Sequence, residues 1–198
     1  MSKRVMTAIA GMGAAVAMWA GCALAQTPPA ASQAAMDAVY TEMNCMYDGL
    51  SEDQRMMIFD NYFDPLDEEV KEIDTFMDKL QTSCAAKYGW SKDQRDMADG
   101  IALHGAVVDV AILDLMDAGL KDGEALFDVW DALPDDDIDH FIDETWYDDK
   151  PFNDRMKALL LAAGVPNDSL SIENALAVLE SISLASTAQD IWLTAKGL

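Results

Sequence analysis

The residues with the clearest potential for chemistry lie in an acidic stretch, residues 128–149. Clustered carboxylates are the ligands that hard divalent cations prefer. His140 and Glu144 are four residues apart, and on a helix they would lie one turn after Asp136 and Asp137. An imidazole among carboxylates can also ligate a first-row metal ion. These four residues are therefore candidate metal ligands, and a divalent-cation-binding protein is one hypothesis for the function.

The same stretch also fits a solvated helix face without any metal. Ile138, Phe141 and Ile142 predict an amphipathic helix that begins at Asp135 and is broken by Pro151, with its carboxylates turned outward. The ligand order of an EF-hand is absent, and the chain has only two histidines. A solvated acidic surface is therefore the main expectation, and metal binding is the alternative.

A second candidate site comes from two polar residues that interrupt the most apolar part of the chain, residues 101–113. If buried, His104 and Asp109 would each need a partner, and their pKa values would shift. Titratable residues of this kind can mark a hidden pocket. Because the two are five residues apart, they do not share a helix face. We therefore expect His104 to be hydrogen-bonded in the core and Asp109 to face solvent, with a pocket on this helix as the enzymatic alternative.

Sequence motifs of common enzymes are absent. The chain has no Gly-x-Ser-x-Gly nucleophile elbow, no glycine-rich phosphate loop and no zinc-binding helix motif. The sequence therefore favours a binding protein over an enzyme and predicts no cofactor.

The first 25 residues predict an export signal, with Lys3 and Arg4 ahead of an apolar run from Val5 to about Ala20. Ala23-Leu24-Ala25 supplies small residues for cleavage, so the mature chain should start at Gln26 in the periplasm or outside the cell.

A lipid anchor on Cys22 is the minority alternative, because Ala20-Gly21-Cys22 resembles a bacterial lipobox. After cleavage, residues 26–32 predict a short flexible leader before a helical domain over residues 33–198.

Export leaves two cysteines, Cys45 and Cys84, and in an oxidising compartment we expect them to form a disulfide. Each lies shortly before a glycine that is predicted to end a helix. A disulfide holds its two Cα atoms about 4.4–6.8 Å apart, so two helix ends should lie side by side. The two helices would then be parallel, and the helix between them would return in the opposite direction.

A short motif is written twice around these helix ends, at residues 49–55 and again at 89–95. Each copy holds Gly, an apolar residue, Ser, a charged residue, Asp, Gln and Arg. Gly favours the left-handed conformation that ends helices, and Ser with Gln three residues later predicts a capping box on the next helix. The motif therefore predicts helix boundaries.

The fold prediction is an all-α, single-domain bundle of about seven helices whose first half runs up and down. Apolar residues recur at three- and four-residue steps, and no sustained period-two alternation predicts a strand. The helix from Ser91 to about Ala118 is the most apolar and is expected to lie at the centre of the bundle.

The net charge of the chain restricts the classes of partner that it can bind. Without Lys3 and Arg4, 11 of the 13 basic residues remain against 36 acidic ones, a net charge of −25. Such a surface repels nucleic acids and anionic membranes and attracts cations. We therefore predict an exported, non-enzymatic interaction or accessory protein for a protein or peptide partner with a basic surface.

Overall fold

The structure is a computed structural model that describes residues 30–197, with side chains from residue 33 onward. Nine helices and no strand occur within these residues, so the all-α prediction is confirmed. The helices are α1 Ala30–Met43, α2 Cys45–Gly49, α3 Glu52–Phe63, α4 Asp67–Tyr88, α5 Lys92–Ala118, α6 Glu124–Asp131, α7 Asp135–Ile142, α8 Lys150–Ala162 and α9 Ser169–Lys196.

The first predicted helix differs from the structure at both ends. The observed helix, α1, begins at Ala30, three residues before the expected start. It ends at Met43 because Asn44 forms a turn. Asn is a poor helix former, since its side chain competes for backbone hydrogen bonds. A separate helical turn, α2, then carries Cys45. The chain divides after Thr41, and the sites below belong to the unit Glu42–Leu198.

The predicted export signal and Cys22 lie outside the described residues, as does most of the predicted leader. Among the helices that are described, none is long and apolar enough to cross a membrane.

The core of the second unit is built around α9 rather than around the expected helix. Residues 174–183 of α9 are buried without interruption, whereas α5 buries one face and exposes Leu113. The two helices pack along each other. Trp90, just before α5, contacts Trp192 near the end of α9, with ring centroids 5.4 Å apart, so the helices are antiparallel. Five buried polar residues of α9 make the helix look less apolar in the sequence than it is in the structure: Ser171, Asn174, Glu180, Ser181 and Ser183.

The disulfide between Cys45 and Cys84 is present, with a Cα–Cα distance of 6.0 Å. It joins α2 to the last turn of α4. Because Asn44 separates α2 from α1, Cys45 does not lie at the end of one long helix as expected. The parallel arrangement was inferred from that long helix, and it stays a prediction.

Candidate functional site

The four predicted metal ligands do not stay on one helix. α7 ends at Ile142, well before the expected break at Pro151, so Glu144 lies in the connection to α8 with a left-handed φ of +54°. Asp137 is buried and accepts a hydrogen bond of 2.7 Å from Arg155. Asp136 is exposed in the first turn of α7. In the part of the chain that the structure describes, no three His, Cys, Asp or Glu side chains are grouped to hold a metal ion.

His140 instead forms a chain with two residues that sequence reasoning did not single out. Its Nδ1 lies 2.9 Å from the Thr145 hydroxyl, and its Nε2 lies 3.1 Å from Asp149. An ionised carboxylate only accepts, so the Nε2–H tautomer satisfies both contacts. The Phe152 N–H, followed by His140, holds the pKa of Asp149 below its usual value.

This hydroxyl–imidazole–carboxylate order also occurs in nucleophilic enzymes. Here two of the three residues, Thr145 and Asp149, bond backbone groups at helix ends. The Thr145 hydroxyl also lies 3.4 Å from the carbonyl of His140, and Asp149 caps α8 through the N–H of Phe152. The chain of contacts therefore ties the end of α7 to the start of α8.

Asp109 is not solvent-facing, and this expectation is wrong. Its Oδ2 accepts a hydrogen bond of 2.9 Å from Arg55, and the Tyr47 hydroxyl donates to the same oxygen. Arg55 also lies over the Tyr47 ring, 4.3 Å from its centroid. Burial raises the pKa of Asp109, and these two donors oppose that rise. This pairing could not be predicted from the sequence, because its three residues lie on three different helices, α2, α3 and α5.

Gly105 makes room for this ionic cluster. A Cβ at residue 105 would come within 2.9 Å of the Tyr47 ring, so the ring lies directly against the backbone of α5. Close approach of this kind requires glycine.

His104 was expected to be hydrogen-bonded in the core, and this expectation is also wrong. Its Nδ1 is buried and has no hydrogen-bond partner among the described residues. Burial lowers the pKa of His104 to about 4, so the ring is neutral at pH 7. Asp109 is engaged by Arg55 and Tyr47, and neither of the two grooves described below is lined by His104 or Asp109.

Glu180 forms a second buried acidic cluster, which the sequence analysis missed entirely. The residue is 1% exposed, and its carboxylate accepts hydrogen bonds from the Tyr62 hydroxyl, the Trp146 indole and the Tyr147 hydroxyl. The indole and the Tyr147 hydroxyl both lie 2.9 Å from Oε1. No ion pair of the described residues includes Glu180. A lone glutamate in an apolar run was the only signal in the sequence.

Two grooves run along the two sides of α4, and both combine carboxylates with apolar side chains. The larger, about 330 Å³, lies between α4 and α5 and is called the α4–α5 groove. It is lined by Ile73, Asp74, Met77, Asp78, Asp99 and Leu103. The smaller, about 230 Å³, lies between α3 and α4. It is lined by Asp53, Met56, Met57, Asp60 and Glu69.

Asp99 is the most perturbed carboxyl group of the α4–α5 groove. Burial raises its pKa to about 6, with Asp96 and Asp78 adding to the rise and the Gln81 amide opposing it. Gln81 donates to Oδ2 at 2.6 Å, whereas Oδ1 is buried and has no protein partner within the described chain.

Comparisons with protein families, with characterised proteins and with solved structures find no match for this chain.

Proposed function

We propose that this chain is an exported, non-enzymatic interaction protein that binds a basic, partly apolar segment of a partner protein or peptide. The observation that carries the proposal is the α4–α5 groove. Asp74, Asp78 and Asp99 lie beside the apolar side chains of Ile73, Met77 and Leu103.

Lysine and arginine match this lining because their stems are apolar and their heads are charged. A stem could lie on Met77 and Leu103 while its head meets the carboxylates that line the groove. The net charge of −25 would speed the encounter with a basic partner. The partner should therefore bind through a local groove and a general electrostatic attraction together.

Two charge-matched variants separate these contributions. The groove variant carries Asp74→Asn, Asp78→Asn and Asp99→Asn. The control carries Asp135→Asn, Asp136→Asn and Asp139→Asn, which removes the same charge from exposed positions of α7. The probe is a synthetic amphipathic peptide that alternates Lys or Arg with Leu, and its affinity is measured by fluorescence anisotropy at low and high salt.

We expect the groove variant to weaken binding about tenfold and the control no more than about twofold. Salt should weaken binding to the unmodified protein, because exposed charges are screened within about 10 Å at 0.1 M. Equal losses in both variants would reject the groove, and binding that is insensitive to salt and to both variants would reject the proposal.

The proposed export rests on the N-terminal sequence and is compatible with the disulfide. The mass of the intact protein from its native compartment tests it. We expect a chain that starts at Gln26 and is lighter by two hydrogens because of the Cys45–Cys84 bond. A lipid-modified Cys22 would assign the anchored form, and a full-length reduced chain would contradict export.

A further inference from the structure

Asp99, in the wall of the α4–α5 groove, has a different kind of partner from Asp109 and Asp137. Each of those two carboxylates is paired with an arginine, at 2.9 Å and 2.7 Å. The Oδ2 of Asp99 accepts a hydrogen bond of 2.6 Å from the neutral amide of Gln81, and its Oδ1 is buried with no donor among the described residues. No ion pair of the described chain includes Asp99.

The chemistry of the partner decides which protonation states of a carboxyl group it can bond. An arginine only donates, so it favours an ionised carboxylate. A glutamine side chain carries both a donor and an acceptor. Gln81 can therefore donate to ionised Asp99 through its NH2 group, and after an amide flip it can accept from protonated Asp99 through its carbonyl. Asp99 can gain or lose a proton without losing its hydrogen bond.

The charged groups around Asp99 are mostly acidic. Helices α4 and α5 form the walls of the groove, where Asp74 and Asp78 line it from α4. On α5, Asp96 precedes Asp99 by three residues, and Arg95, which precedes it by four, is exposed and forms no ion pair within the described chain. Burial, followed by Asp96 and Asp78, raises the pKa of Asp99 to about 6. Asp99 therefore changes charge near neutral pH.

We propose that Asp99 makes the α4–α5 groove sensitive to pH, so that the basic segment is held at neutral pH and released in mildly acidic surroundings. This inference rests on the function proposed above. Ionised Asp99 attracts a cation in the groove through its charge, without a hydrogen bond to the buried oxygen, whereas protonated Asp99 does not. Because linkage is reciprocal, a bound cation must in turn favour loss of the proton from Asp99.

The other titratable groups at the groove should keep their charge between pH 5.5 and pH 7.5. Carboxyl groups with an ordinary pKa of about 4 stay ionised over this range. Burial lowers the pKa of His104, which follows the groove residue Leu103, to about 4, so its ring stays neutral. The second histidine of the chain, His140, belongs to α7 and does not line the groove.

The test measures binding of the amphipathic peptide in its Arg and Leu form to the intact, oxidised protein at pH 7.5 and pH 5.5, at constant ionic strength. Arginine keeps its charge over this range, so the peptide itself does not titrate. We expect the affinity to fall about threefold at pH 5.5. Asp99→Asn should bind at pH 7.5 at least as weakly as the unmodified protein does at pH 5.5, and should not respond to pH. Equal pH responses of the variant and the unmodified protein would overturn the proposal.

Two variants that keep Asp99 should move its titration midpoint in opposite directions. Asp78→Asn removes a charge that favours the proton and should lower the midpoint, whereas Gln81→Leu removes the donor to the ionised form and should raise it. Arg95→Gln and Asp136→Asn change one exposed charge each and should leave the midpoint unchanged. The NMR shift of the Asp99 carboxyl carbon reports the midpoint without any peptide. A midpoint of about 4 in the unmodified protein, as in an ordinary aspartate, would overturn the proposal, as would equal midpoints in Asp78→Asn and Gln81→Leu.

The pH response and the proposed function fail in different ways. Peptide binding that is equally strong at both pH values would overturn the pH response and leave the interaction function standing. No peptide binding at either pH would reject the proposed function, and release from the groove with it. His140→Gln should keep the full pH response of the unmodified protein, and its loss in that variant would assign the response to the histidine and overturn the role of Asp99.

Discussion

The two copies of the repeated motif have the same local structure but different tertiary roles. Ser51 with Gln54 and Ser91 with Gln94 form complete capping boxes, as predicted. The arginines that end the copies differ. Arg55 pairs with Asp109 of α5, whereas Arg95 is exposed and has no partner among the described residues. Local sequence therefore determines the caps, and the neighbouring helix determines what the arginine does.

The glycines of the two copies differ as well. Gly89 takes the left-handed conformation that the motif predicts, with φ of +73°. Gly49 is still helical, and a Cβ there would come within 2.6 Å of Leu80. The prediction that Gly49 ends its helix in the left-handed conformation is therefore wrong. The first glycine allows close packing and the second allows a backbone turn.

The largest effect should come from removing the disulfide that joins the flanks of the two copies. It closes a loop across a sequence separation of 39 residues. In the chain-entropy model a loop of this length stabilises by about 4 kcal/mol. Replacing Cys45 and Cys84 by Ser should therefore lower the free energy of unfolding in urea by about that amount, and dithiothreitol should do the same to the unmodified protein. A loss below about 1 kcal/mol would show that the bond adds little to the packing.

The arginines give the sharpest test of the comparison. Arg55→Gln leaves the mostly buried Asp109 without its cation and should cost about 2 kcal/mol in urea unfolding. Arg95→Gln should change stability by less than about 0.5 kcal/mol, as is usual for exposed positions. Equal effects would show that the two copies are equivalent after all.

A double-mutant cycle identifies the partner. The double variant Arg55→Gln with Asp109→Asn removes both charges. Its loss of unfolding free energy should therefore be smaller than the sum of the losses of the two single variants. Strict additivity would mean that the ion pair contributes nothing.

These residues also show what the sequence could and could not predict. Helix type, the capping boxes and the disulfide follow from local patterns, because each depends on residues close in sequence or on two cysteines alone. The Asp109 and Glu180 clusters each combine residues from three parts of the chain. The acidic helix predicted to reach Pro151 ends at Ile142, because tertiary contacts of Trp146 and Tyr147 with Glu180 compete with helical periodicity.

The glycines should give the next largest difference. Gly89→Ala forces a side chain into the left-handed region and should cost about 1 kcal/mol, with no steric contact contributing. Gly49→Ala adds a methyl group against the flexible end of Leu80, while Ala favours the helix, so the net change should be smaller. Urea midpoints of the two variants check this order, and the reverse order would contradict the different roles of the glycines.

The last effect should appear only at alkaline pH, and only in the first copy. Burial, and then Asp109, raise the pKa of the Tyr47 hydroxyl above its usual 10. Above pH 10 the unfolded chain loses this proton while the folded chain keeps it, so stability present below pH 10 is lost as the pH rises. Tyr47→Phe should therefore lose less stability between pH 9 and pH 11 than the unmodified protein. Arg95→Gln, in the second copy, should follow the unmodified protein over the same range. If Tyr47→Phe also runs parallel to it, the hydroxyl lies in an environment no different from water, and the first copy would lack the buried cluster that separates it from the second.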